Sequence, residues 1–168
     1  MIAVVVMGVC GCGKSTLATK LAETLGGSFI EGDELHSDQN VAKMASGQPL
    51  NDEDRWPWLA EIGRTLSKDV DQRGRSFAAC SALKKSYRDH IRQSCEHAVI
   101  FLYLKGEKSL IEHRMSQRKN HYMPTSLIES QFAILEEPQD EEQVIPISID
   151  QTPDAIAKDA LCLLERLR

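Results

Sequence analysis

Apolar residues along the chain fall into short runs separated by helical stripes. The first run, 2–6, is valine-rich and continuous, the signature of a strand buried on both faces. Behind it, Leu17, Leu21 and Leu25 with Ala18 and Ala22 recur at helical spacing until Gly26 and Gly27 end the pattern. Further strands are predicted at 28–31, 76–80, 98–104 and 144–149. Helical stripes lie between and after them: Leu59, Ile62, Leu66 and Val70; Leu83, Tyr87 and Ile91; Leu110, Ile111 and Met115; Ile156, Ala160, Leu164 and Leu167. Thr152 followed by Pro153 suits the start of the final helix. Strands alternating with helices define an α/β protein whose parallel sheet is covered on both faces. Two stretches, 32–51 and 117–126, lack core periodicity. In such a sheet, ligands gather beyond the carboxyl ends of the strands, so these stretches read as a binding insert and a lid.

Between the first strand and first helix stands Gly8-Val9-Cys10-Gly11-Cys12-Gly13-Lys14-Ser15, which fits G-x-x-x-x-G-K-[ST]. Glycines let successive backbone N–H groups turn inward around a phosphate. Lys14 has the reach to contact β- and γ-phosphates, the Ser15 hydroxyl suits Mg²⁺, and the helix N-terminus favours negative charge. Residues 8–15 with Thr16 are therefore the candidate ATP site, with Lys14 in catalysis and Ser15 as metal ligand. A bare glycine turn is the alternative, but strand, loop and helix come in the order the motif requires.

With 168 residues, the chain has the length of one domain. The net charge of −5 argues against nucleic acid as a partner. No apolar stretch reaches membrane-spanning length, and the first run lacks a basic leader, so a cytoplasmic protein is expected. Five scattered cysteines fit reduced thiols. Cys10 and Cys12 have no second ligand pair for a metal. Their place at a helix N-terminus predicts lowered thiol pKa and reversible inhibition by peroxide.

The second strand runs into Glu31-Gly32-Asp33-Glu34-Leu35-His36. Phosphoryl transfer to an alcohol needs a group that orients the hydroxyl and takes its proton. Asp33 is the candidate, the alternative being a cap on the next helix; Glu31 and Glu34 read as surface acids. Arg55 carries a planar fork suited to a carboxylate, while Trp58 reads as core. After the third strand, Ser81 is a plausible helix cap, and Lys84 and Arg88 are spaced to share one helix face. That face is either solvated or part of a site.

These segments resemble the gluconate kinases. The match runs through Gly32-Asp33-Glu34-Leu35-His36, Asn40 with Lys43 and Met44, Gly47 with Pro49 and Leu50, and Asp52-Glu53-Asp54-Arg55 with Pro57-Trp58-Leu59. It continues in Cys80-Ser81-Ala82-Leu83-Lys84 with Tyr87-Arg88-Asp89, and ends in His121-Tyr122-Met123-Pro124 with Leu127, Ser130 and Gln131. The resemblance implies a three-layer P-loop kinase fold with a five-stranded parallel sheet in the order 2-3-1-4-5. It also implies a substrate insert at about 32–58 and a lid at about 117–130, all within a single domain. The reaction it implies is ATP-dependent phosphorylation of D-gluconate at the 6-hydroxyl, often by a dimer. Asp33 would be base and hydroxyl contact, with His36, Arg55 and Arg88 around the sugar acid; Lys84 and His121 join this candidate set. The chain departs from the pattern at Cys10 and Cys12, where serines are usual, at Ser37 in place of proline, and at Tyr122 in place of phenylalanine.

Arg114 and Arg118, one helical turn apart before the lid, are candidates for covering the adenine or clamping the transferred phosphoryl group, Arg118 in a catalytic role. Segment 148–153 resembles the adenine-side loop of related kinases. No strand at 77–80 or 99–104 ends in a carboxylate, so Mg²⁺ is expected on Ser15, the ATP phosphates and water, with Asp33 further out. Competing readings are a kinase for shikimate or a nucleoside monophosphate, and a P-loop switch protein.

Overall fold

The computed structural model describes residues 1–118 and 125–167. Five parallel strands, β1 (Ile2–Met7), β2 (Ser28–Glu31), β3 (Arg75–Ala79), β4 (Val99–Lys105) and β5 (Val144–Ser148), stand in the order β2-β3-β1-β4-β5. The helices are α1 (Lys14–Leu25), α2 (Asp38–Ala45), α3 (Asp52–Arg73), α4 (Lys85–Ser94), α5 (Lys108–Ser116), α6 (Thr125–Ile134) and α7 (Pro153–Arg166). No helix among the described residues is long and apolar enough to cross a membrane.

Strand alternation sorts the core into two layers. Val4 and Val6 of β1, Phe77 and Ala79 of β3, and Leu102 and Leu104 of β4 face one side, against Leu17 and Leu21 of α1 and Ile156, Ala160 and Leu164 of α7. Ala3, Val5 and Met7, Ala78, and Phe101 and Tyr103 face the other, against Leu59, Ile62, Leu66 and Val70 of α3 and Ile91 of α4. Both faces are apolar, which is why these strands read as unbroken runs rather than alternations.

β1 is central, with β3 on one side and β4 on the other. The order in which strands are added reverses about β1, and a cleft opens at its carboxyl end in sheets of this kind. The ends of β2 and β3 lie on one side of that point and that of β5 on the other.

Two local readings change, and a third helix start becomes visible. The stretch 32–51 contains a helix, α2, capped by Ser37, whose hydroxyl accepts from the Asn40 N–H. A helix of eight residues with Val41 and Met44 exposed leaves no core stripe to read. α3 is capped by Asn51 in a reciprocal box with Asp54. α4 begins at Lys85 with Lys84 as its cap, because Ala82 adopts φ 43° and delays the helix. Ser81 is therefore no cap; its carbonyl accepts from the Gly8 N–H at 3.2 Å.

Candidate active site

The loop after β1 has the backbone its glycines predict. Gly13, at φ 97°, sits at the N-terminus of α1 with no side chain over the helix's free N–H groups. Gly11, at φ 78°, lies against Met115 of α5, where a Cβ would overlap the thioether. Lys14 curls back and its ammonium donates to the Val9 carbonyl at 3.0 Å. A triphosphate with its charge is a stronger acceptor for that ammonium than one carbonyl.

A cleft of about 1030 Å³ opens beside the loop. Gly11, Cys12, Gly13, Ser15 and Thr16 form one wall, Arg114 and Arg118 a second, and the segment from Asp150 to Asp154 a third. Seven of the predicted nucleotide residues thus line one cleft, while Gly8, Val9, Cys10 and Lys14 are not part of its lining, and there is one division of labour. The Arg114 guanidinium donates to the carbonyls of Ile149 at 2.5 Å and Gln151 at 3.3 Å. It fixes the loop after β5, while Arg118 lines the cleft and its charge acts on the Cys12 thiol.

On the far side of β1, β2 ends in one acid, Glu31, and a second, Asp33, follows the strand. The Ser15 hydroxyl donates to Glu31 Oε2 at 2.5 Å. Glu31 is therefore not a surface acid; it pairs with the hydroxyl expected to hold metal. Gly32 then allows the turn, because a Cβ there would run into the Ala79 carbonyl oxygen. Its own carbonyl accepts from Trp58 Nε1 at 2.7 Å. Beyond this clamp Asp33 sits exposed in a short 3₁₀ turn, Gly32–Leu35. Capping of α2 falls to Ser37, so the alternative role for Asp33 is removed. Buried Cys80 lies beneath: burial pushes its thiol up to about 12, with Asp33 and Glu31 adding and Lys14 opposing. Both carboxylates and the loop lysine therefore act on the same buried thiol.

His36 stacks on Trp58, ring centroids 4.1 Å apart, and its Nδ1 lies 3.4 Å from the Asn40 amide. Burial lowers its pKa from the ordinary 6.5, with Asp33 opposing and Arg55 adding to the shift. The folded state thus binds fewer protons than the unfolded chain near that pH. The stabilising contribution of neutral His36 is complete above 6.5 and is lost as pH falls through the lowered value. Urea denaturation at pH 7.5 and 5.5 should show wild type losing more stability than His36→Asn; equal losses would remove the assignment.

Arg55 Nη1 donates to the Tyr87 hydroxyl at 3.0 Å, and that hydroxyl donates in turn to Asp52. Lys84 donates to both Asp52 oxygens at 3.3 Å. The Tyr87 hydrogen bond, then that of Lys84, holds the Asp52 carboxyl below its usual range against some burial. Arg55 and Lys84 are thus brought together, as expected, around a carboxylate the chain itself supplies.

Arg88 is not with them. It is 1% exposed, and its guanidinium donates to Glu141, to the carbonyls of Ala82 and Leu83, and to that of Glu136. Its place among the substrate residues is corrected: this side chain turns inward and ties α4 to the segment before β5. Lys84 stays outside because it precedes the helix. His121 lies outside the described residues.

The cysteine expectation also changes. Burial pushes both the Cys10 and Cys12 thiols up despite the Lys14 charge, so enclosure outweighs the helix terminus. Among the five, Cys162 on α7 is exposed. Brief iodoacetamide treatment of folded protein at pH 7 should alkylate Cys162 first, as read by peptide mass spectrometry. Fast modification of Cys10 or Cys12 would contradict the burial argument.

Parallel strands in the order 2-3-1-4-5, a phosphate loop after the central strand and an acidic β2 end define a P-loop protein built like the small-molecule kinases. A protein-family model described as an AAA domain matches residues 4–138. The chain is 42% identical over 169 residues to a probable gluconokinase of Schizosaccharomyces pombe, covering 97% of this chain and 88% of that one. It is 43% identical over 157 residues to a gluconokinase of Gluconobacter oxydans, covering 94% and 88%. The crystal structure of a gluconokinase from Sinorhizobium meliloti superposes with TM-score 0.88 at 42% identity, covering 99% of this chain and 93% of that one. The chain belongs to the gluconokinase family.

Proposed function

We propose that the chain transfers the γ-phosphoryl group of ATP to the 6-hydroxyl of D-gluconate, giving 6-phosphogluconate and ADP. The observation that carries the reading is the end of β2. Its last residue, Glu31, accepts from the loop's Ser15 hydroxyl, with Asp33 two residues further on, and this supports the reading in a chain whose relatives are gluconokinases.

Each part then has a task. The cleft between the loop and residues 150–154 takes ATP, and Lys14 leaves the Val9 carbonyl for the β- and γ-phosphates. Arg118 balances charge developing on the phosphoryl oxygens. Asp33 orients the attacking hydroxyl and receives its proton. Neutral His36 offers its ring nitrogens to sugar hydroxyls, while Arg55 and Lys84 hold the carboxylate end. Ser15 and Glu31 place two hard oxygens side by side, a fit for Mg²⁺, and these two residues would hold it beside the phosphates. The ion, when bound, offsets phosphate charge. Residues 32–58 form the substrate insert and 117–130 the lid of a single domain. Cytoplasmic location and a homodimer belong to the same reading.

A coupled ADP-release assay with Mg²⁺ and a panel of gluconate, other sugar acids, shikimate and nucleoside monophosphates tests it. Release that depends on gluconate is the expected result. Release with shikimate or a monophosphate alone, or with no acceptor, would replace the reading by one of its rivals.

A further inference from the structure

Two residues of the family resemblance, Ser130 and Gln131, take no part in the mechanism above. Ser130 caps its own helix turn through the Leu127 carbonyl at 2.9 Å. Gln131 does something different. Its side-chain oxygen accepts from the backbone N–H of Cys10 at 2.6 Å, across 121 residues of sequence.

We propose that Gln131 is a positioning residue for the phosphate loop. Its carboxamide oxygen holds the Cys10 N–H, fixing the loop in its nucleotide-accepting shape and tying it to α6. Cys10 is buried at 8% exposure, so this N–H has little access to water. It belongs to a loop whose function requires its other N–H groups to turn toward a phosphate. A donor that turns away needs an acceptor in the protein, and backbone donors left unmade in a buried loop favour other loop shapes. Gln131 supplies that acceptor from outside the loop. α6 is seated to deliver it: Ile128, one turn earlier, is 2% exposed and shares a core layer with Val9, Cys10, Cys12 and Met115.

The same segment reaches the sugar-acid side. Directly after α6, the Glu136 N–H donates to the Leu83 carbonyl at 2.8 Å, and its carboxylate accepts from the Lys85 N–H at 3.0 Å. Arg88 donates to the Glu136 carbonyl at 3.1 Å. One stretch of chain, 131–136, therefore braces the triphosphate loop at one end and the start of α4, where Lys84 stands, at the other.

The inference rests on the loop's reading as a triphosphate site, and nucleotide binding measured without sugar acid keeps it separate from the identity of the acceptor. Gln131→Met preserves length and apolar contact but has no oxygen; Gln131→Glu keeps the acceptor. Calorimetry with an unreactive ATP analogue and steady-state kinetics are read together with exchange of the Cys10 amide proton. Gln131→Met should weaken the analogue and raise KM for ATP about tenfold, the worth of one buried hydrogen bond left unmade. KM for gluconate should stay within about twofold, and Cys10 amide exchange should quicken. Gln131→Glu should recover most of the ATP affinity and the slow exchange. A side chain that merely packs gives the opposite order, with methionine tolerated and glutamate not. Wild-type ATP affinity in Gln131→Met, or a Gln131→Glu protein no better than Gln131→Met, overturns the proposal.

Discussion

The Asp33→Asn protein is expected to bind ATP as the parent does and to phosphorylate gluconate 10²–10⁴-fold more slowly, roughly the share general base catalysis supplies. Asparagine has the same shape and still accepts a hydrogen bond, so the 3₁₀ turn and the clamp on Gly32 stay intact. What it lacks is charge and basicity. Asp33 is exposed and caps no helix, so the substitution removes little else from the fold. Calorimetric ATP affinity and thermal midpoint should both be near wild type while kcat falls. A rate within a factor of about three of wild type would return proton acceptance to water or another group, leaving Asp33 at most an orienting role.

The second large effect concerns stability. Arg88→Met should lower the free energy of unfolding by about 3–5 kcal/mol, the cost of leaving a buried ionic partner unmatched. For a domain of this size that is roughly 6–20 °C in Tm. Glu141 would keep only Arg92, at 2.9 Å, and the carbonyls of Ala82, Leu83 and Glu136 would lose their donor. Adding Glu141→Gln to Arg88→Met should restore part of the loss, since an amide is cheaper to bury than a charge. At temperatures where the variant is folded, KM for gluconate should change little. A variant of normal stability with a greatly raised KM for gluconate would return Arg88 to the substrate site.

These residues also show what the one-dimensional pattern carries. The phosphate loop was legible because its chemistry is local: eight consecutive residues, a strand before and a helix after. The two-sided sheet was legible because burial on both faces removes polar positions from a strand. Arg88 was misplaced because two cations four residues apart share a face only inside a helix, and the left-handed Ala82 starts α4 one residue after Lys84. Its partner Glu141 is 53 residues away, with no periodicity to announce it. Glu31 reads as a surface acid in sequence because a metal-side carboxylate is expected at the ends of β3 and β4, whereas the acid bonded to Ser15 closes β2. Any acid closing a strand on the loop side of the sheet merits the same scrutiny. The thiols went astray through a contest of magnitudes, since proximity to a helix terminus is visible in sequence and depth of burial is not.

Both tryptophans of the chain stand in the first turns of α3: Trp58 with its indole against His36, Trp56 edge-on to Tyr87. The protein therefore carries its own optical reporter. Emission excited at the indole band should change in intensity as a sugar acid displaces solvent around His36 and Arg55, so occupancy can be titrated without a label or a coupled reaction. Trp58→Phe would separate the two signals, leaving Trp56 to report on the surroundings of Tyr87 alone.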